Sequence, residues 1–230
     1  MRPMLRILLI CGFSCASMFT SYAAGARAPD TWDGLFRIRA SKADAAYLLP
    51  NADFRPYSKV LIDTPQVAFQ KDWLRDANSR SHRVTDKEMR QAIDDASAAL
   101  LEALRTEYGK AGYGIVTDLG SDVLRVSTGI VNLAVAAPDT MSPGRYTVFS
   151  QEAGQATLVL EVRDSLSGTL LGRVVDGAII GDGVHYMRNS VTNRADFEAQ
   201  FANWAKSSAR GLNMLKSNSP IDSNGALRRR

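Results

Sequence analysis

The tetrad Thr85-Asp86-Lys87-Glu88 constrains this chain more than any other short stretch. It is a capping box, in which Thr and a Glu three residues later answer each other's free backbone N–H groups, and Val84 and Met89 occupy the hydrophobic-staple positions around it. A helix must start there. Met89, Ile93, Ala96, Leu100 and Leu104 then recur at helical spacing on one stripe, while Arg90, Asp94, Asp95, Glu102 and Arg105 keep off it, until Gly109 and Gly112 stop the element. An amphipathic helix with a single apolar stripe needs a flat apolar partner, so the surrounding sequence is read for a sheet.

The sheet signals are plentiful. Val60-Leu61-Ile62 is a short apolar strand, and Pro65 separates it from a second extended piece ending at Phe69. Tyr113 to Val116 fits a short strand, and Val123 to Ala136 a long one whose apolar parity shifts near Gly129, as a bulge would shift it. TLVLEVRD (157–164) alternates cleanly, and the DSLSG turn (164–168) leads into TLLGRVVDGAII (169–180), which reads as a hairpin. Asn193 is placed to cap a last helix carrying Phe197, Phe201, Trp204, Leu212 and Leu215 on one stripe. These aromatics read as core in preference to a ligand cage. The order predicts an α+β two-layer sandwich, with a mainly antiparallel sheet of about four to six strands and two helices on one face.

The termini set the compartment. Arg2 and Arg6 precede an apolar run from Leu5 to Phe19, and Ser21-Tyr22-Ala23 supplies small residues at the cut positions of a secretory signal peptide. The run is too short and too diluted for a membrane span. Cleavage after Ala23 removes Cys11 and Cys15, the chain's 2 cysteines, so the exported domain is expected to rest on its core without disulfides. The alternative is lipidation at Cys15. Gly12-Phe13-Ser14 supplies a small residue just before the cysteine but no Leu three before it, and a bulky Phe where a small residue is usual, so soluble periplasmic or secreted release is expected, with an outer-membrane lipoprotein as the other outcome and membrane contact only in that case. The expected layout is a signal peptide over 1–23, a leader packed on the domain over 24–56, one domain over 57–216 and a disordered basic tail over 217–230.

Charge argues against nucleic acid. The formal charge is +4, with 28 basic residues against 24 acids, yet two of the bases lie in the signal and three are Arg228, Arg229 and Arg230. The body of the chain is close to neutral, so no basic face is indicated.

At this point the pattern resembles a known group. VLIDTPQVAF, the helix around DKEMRQAIDDASAALLEAL, then GQATLVLEVRDSLSGTLLGRVVD and the final helix bearing Trp204 together resemble a family of exported bacterial proteins, many of them lipoproteins, catalogued only as a domain of unknown function (number thirty-three thirteen). The resemblance covers about Asp30 to Leu215. It implies an envelope location and supplies no catalytic residues.

Candidates for chemistry are few. The 2 histidines, His82 and His185, are the sole bases available to a Ser-His-Asp triad, and no G-x-S-x-G elbow accompanies them. His185 and Asp182 lie in the glycine-rich GDGVHY (181–186), which reads more simply as a turn. Zinc lacks ligands and the calcium loop pattern is absent, so no metal and no cofactor is expected. Arg75, Arg80, His82 and Arg83 precede the N-terminus of the capped helix, where an anion could dock, although Thr85 and Glu88 already compete for those donors. The expected function is a non-enzymatic binding or interaction module for another envelope component, protein or glycan. A periplasmic carrier of a small apolar ligand or lipid is the alternative, and a hydrolase using His185 stands behind it.

Overall fold

The structure is a computed structural model that describes residues 28–39, 43–79, 84–135, 148–150, 153–181, 186–188 and 190–222. Cys11, Cys15 and the signal region lie outside these residues.

The chain enters through a hairpin of β1 (Thr31–Trp32) and β2 (Leu35–Ile38). Its turn is Asp33-Gly34 with φ of 51° and 80°, and two successive left-handed residues are what a tight antiparallel turn with the native strand twist requires. β3 (Ala45–Leu48), β4 (Lys59–Ile62) and β5 (Gln66–Phe69) follow. The short helix α1 (Trp73–Ser79) precedes the long α2 (Asp86–Lys110). Beyond them lie β6 (Gly114–Val116), β7 (Val123–Val135), β8 (Val148–Ser150), β9 (Gly154–Asp164), β10 (Leu170–Ile180), β11 (Tyr186–Arg188) and the long α3 (Ser190–Asn218).

Nine strands form one sheet in the order β1-β2-β3-β10-β9-β7-β4-β6, with β5 also pairing with β7, and β8 and β11 form a separate two-stranded pair. The protein is α+β as expected, but the sheet is larger than four to six strands and the described residues contain three helices rather than two. It is also mixed. β4 runs parallel to both β6 and β7, and β5 runs parallel to β7, because the chain returns to the sheet through α2 each time. The extra strands come largely from the expected leader, whose β3 pairs antiparallel with β10 across Ala45–Leu48 and so belongs to the main sheet.

Two local readings shift. The bulge in β7 falls between Val131 and Ala134, where Asn132 adopts φ 54°, rather than near Gly129. α3 starts at Ser190, so Asn193 is a buried residue inside the helix and not its cap. The capping box of α2 is present as read, with Glu88 N–H donating to Thr85 Oγ1 and the Thr85 N–H donating to Glu88 Oε2.

α2 and α3 pack against each other and share one face of the sheet. Leu100, Leu104 and Tyr108 from α2 meet Phe201, Trp204, Ala205, Ala209 and Leu212 from α3 over Val60, Val126, Leu158, Leu160 and Val162. Each large apolar side chain buried here contributes about 1.5–3 kcal/mol. Polar ties fix the far end of the helix pair. The Tyr108 and Ser208 hydroxyls lie 2.6 Å apart and the Tyr113 hydroxyl donates to Asn213 Oδ1 at 2.7 Å, and burial pushes the Tyr108 hydroxyl up to about 12. Residues 219–222, which sequence places in the tail, continue this packing. Ile221 is buried and its N–H donates to the Ala52 carbonyl at 2.9 Å. On the other face of the sheet, Leu35 of the β1–β2 hairpin folds over Ala45, Tyr47, Val159 and Val175 to make a second, smaller core.

Candidate functional site

Side chains alternate between the two faces of a strand. In β9, Leu158, Leu160 and Val162 therefore point to the helices, and Glu161 and Arg163 to the opposite, helix-free face. Strand register lines up Ser127, Glu161, Arg173, Tyr47 and Arg37 as successive cross-strand partners on β7, β9, β10, β3 and β2. Arg125 and Arg163 are cross-strand partners in the next row. A band of charge thus crosses five strands on the face that, among the described residues, no helix covers.

Glu161 is its centre. Its Oε1 accepts Arg173 Nε at 2.9 Å and Nη2 at 2.6 Å, and its Oε2 accepts Arg163 Nη2 at 2.8 Å. Glu161 and Arg173 are only 6% and 7% exposed. The β1–β2 hairpin reaches over them. Asp33 Oδ2 lies 2.8 Å from Arg173 Nη2, and the Trp32 ring centroid lies 4.1 Å from the Arg173 guanidinium carbon, a cation–π contact. Trp32 in turn meets Tyr47 edge to face at 5.7 Å. Beside this set, both oxygens of Asp63 accept Arg125 Nε, at 2.8 and 3.0 Å, and Asp63 also accepts the Ser127 hydroxyl. Asp33, Asp63 and Glu161 balance Arg125, Arg163 and Arg173. The balance leaves donors over. Arg173 Nη1 is buried with no hydrogen-bond partner among the described residues, and Arg125 is half-exposed.

Taking two charges out of water is costly, and an apolar pair of the same volume often folds as well or better. The band therefore contributes geometry, an ordered array of planar donors and carboxylate acceptors, more than it contributes stability. At its far end Arg37 donates to the Ala28 carbonyl at 3.1 Å and the Asp44 carbonyl at 3.3 Å. There it borders a groove of about 530 Å³ lined by Asp30, Phe36, Arg37, Ile38, Arg39 and Asp44.

The residues singled out from sequence are distributed differently. Arg75 sits exposed on α1 in ion pairs with Asp72 at 3.1 Å and Asp76 at 3.4 Å. Arg80, His82, Arg83, Asp182, His185 and Cys15 lie outside the described residues. Phe197, Phe201 and Trp204 are core, as expected. Trp204 also donates its indole N–H to Asp176 Oδ2 at 2.7 Å, and burial pushes the Asp176 carboxyl up from its ordinary value. The DSLSG turn is structural. Asp164 accepts the Ser167 amide at 2.7 Å and the Tyr57 hydroxyl at 3.0 Å, and the Ser167 amide bond holds its carboxyl below the usual range. Among the described residues no three His, Cys, Asp or Glu side chains group as a metal site would require. The charged band was missed, although its signal was present: charged residues in the outward parity of strands with apolar inward parity, as in EVR (161–163) and GRV (172–174).

No family model matches the chain, and no curated protein matches it. Solved structures share part of its shape. A PelC dodecamer from Paraburkholderia phytofirmans is 10% identical, with 70% of this chain and 93% of that one covered and a TM-score of 0.36. A Xanthomonas campestris protein of the DUF330 family is 10% identical, covering 73% of this chain and 87% of that one at a TM-score of 0.41. A homologue of a neuraminyllactose-binding hemagglutinin from Helicobacter pylori is 10% identical, covering 73% of this chain and 89% of that one at a TM-score of 0.38. An uncharacterised family is thus represented among them, though not the one named by the sequence resemblance. At these identities and TM-scores the likenesses carry neither a family nor a function to this chain.

Proposed function

We propose that this chain is an exported, non-enzymatic module of the cell envelope that binds another envelope component through the helix-free face of its sheet. The observation that carries this reading is the buried Glu161–Arg173 pair, locked by Asp33, Arg163 and Trp32, at positions where an apolar pair of the same volume often folds as well. Ordered charges held at a desolvation cost are what a recognition surface needs, since pre-set donors lose little entropy when a ligand arrives. The signal-like N-terminus supports export, and among the described residues no helix is long and apolar enough to cross a membrane.

A catalytic reading draws no support from the band, whose Arg, Glu and Asp groups are engaged with one another and place no nucleophile beside a free base. The carrier reading draws none from the helix–sheet interface, which Leu100, Leu104, Tyr108, Phe201 and Trp204 fill. Residues 24–230 contain no cysteine, which makes a site-specific blocking experiment direct. Arg125→Cys and Thr106→Cys chains, each carrying a maleimide-linked polyethylene glycol, are co-sedimented with isolated envelopes beside the unlabelled wild type. The wild type and the chain labelled on α2 at 106 are expected in the pellet, and the chain labelled at 125 in the supernatant. Equal pelleting of both labelled chains, or no pelleting of the wild type, would contradict the reading.

A further inference from the structure

Resting on that reading, we infer that the helix-free face binds an acidic polysaccharide, with a uronate carboxylate seated between the guanidinium groups of Arg125 and Arg163. Two like charges placed directly across from each other on adjacent strands oppose folding, and Arg125 and Arg163 are such partners. Each is neutralised from one side only. Asp63 takes Arg125 through Nε, which leaves both Nη groups of Arg125 without a hydrogen bond to the described residues. Glu161 takes Arg163 through Nη2, and the Gly168 carbonyl takes its Nη1 at 3.1 Å. Glu161 has no oxygen to spare, because Oε1 already holds Arg173.

The ligand chemistry follows from what is left over. A planar fork of N–H donors, 48% exposed on Arg125, matches the two oxygens of a carboxylate. A second guanidinium across the strand pair adds the charge that makes an anion the favoured guest. Immediately around this pair the face offers Asp63, Ser127 and Glu161, while its aromatics Trp32 and Tyr47 are engaged with Arg173 and with each other. The centre of a protein–protein interface is normally depleted of charge and enriched in aromatics, so this face suits a polyhydroxylated ligand better than a protein. Asp33, Asp63 and Glu161 match Arg125, Arg163 and Arg173 in number, so recognition is local, through the placement of donors, and a neutral glycan has nothing to place between the arginines.

Calorimetric titration tests this with polygalacturonate, neutral dextran and poly-glutamate as probes. Four chains are compared: wild type, Arg125→Gln/Arg163→Gln, Arg125→Lys/Arg163→Lys, and Arg90→Gln/Arg105→Gln, which removes the same charge from the exposed face of α2. Wild type and the α2 variant are expected to bind polygalacturonate alike, and neither to bind dextran. The Gln pair is expected to lose affinity about tenfold or more. The Lys pair, which keeps charge but not the fork, is expected to lose about tenfold as well, that being the effect of one charge-assisted hydrogen bond. The Lys pair also keeps the test decisive if the Gln pair does not fold. Equal binding of dextran, equally tight binding of poly-glutamate, or unchanged affinity in the Lys pair would overturn the inference. Wild type that pellets with envelopes but ignores polygalacturonate would overturn this inference alone, and wild type that does neither would overturn the broader reading with it.

Discussion

The two faces of β9 are one strand apart in thickness and opposite in construction. Towards the helices, Leu158, Leu160 and Val162 lie under side chains of α2 and α3. Towards the other side, Val159 is covered by the hairpin residue Leu35, and Glu161 and Arg163 continue the same parity as an ion-paired row. The helix side is held by burial, which has no direction and tolerates rearrangement. The helix-free side adds to a smaller apolar core a set of hydrogen bonds to charged groups, which demand orientation. A chain that needed only a stable sheet would have been served as well by apolar residues at 161 and 173. On the proposed reading, this difference places stability on one face and recognition on the other.

The largest effect is expected on the helix side. Phe201 is 1% exposed, and Phe201→Ala should cost about 4 kcal/mol by removing a large ring from a close-packed site, read by urea denaturation. Next comes Arg173→Met, which strips Glu161 of its main partner and should cost about 3 kcal/mol. The double variant Glu161→Leu/Arg173→Met should return to within about 1 kcal/mol of the wild type while binding is lost. A double variant as unstable as the single one would make the band a stability device and dissolve the contrast.

The smallest effect concerns two carboxyls with opposite shifts. Burial raises the folded pKa of Asp176 above its ordinary 3.8, so the wild type loses stability as pH climbs through 3.8 towards the folded value. Asp176→Asn should therefore gain under about 1 kcal/mol near neutral pH, after allowance for solvent screening, and gain nothing in acid. Asp164 has a folded pKa held below 3.8, chiefly by the Ser167 amide. Its contribution is complete above 3.8 and is lost as pH falls through the folded value, so Asp164→Asn should lower the midpoint near neutral pH and leave it unchanged in strong acid. Thermal melts across that range would show the two slopes, and slopes of the same sign would refute one of the two assignments.

Local signals were legible in the sequence and non-local ones were not. The capping box of α2 and the β9–β10 hairpin are decided by residues three to ten apart, and both stand as read. Asp33-Gly34 is a strong turn signal, yet the strands beside it have two and four residues, too short for a period to show. Their place in the sheet depends on β10, far along the chain. α1 buries no residue and so shows no apolar stripe. Asn132 takes the left-handed backbone that Asn tolerates better than most residues, so it, more than Gly129, was the residue to suspect of the bulge. The charged band was visible as single residues on separate strands. Only the register that places Arg125 beside Arg163, and Glu161 beside Arg173, makes a site of them.

The most direct test of the division between the faces is a residue-resolved NMR titration of the chain from residue 24 onward with soluble envelope fragments. The expected result is a cluster of shifted amides on β7 and β9 around Arg125, Ser127, Glu161 and Arg163, with α2 from Leu100 to Tyr108 unmoved. Shifts gathered on α2 and α3, with the charged band silent, would contradict the account.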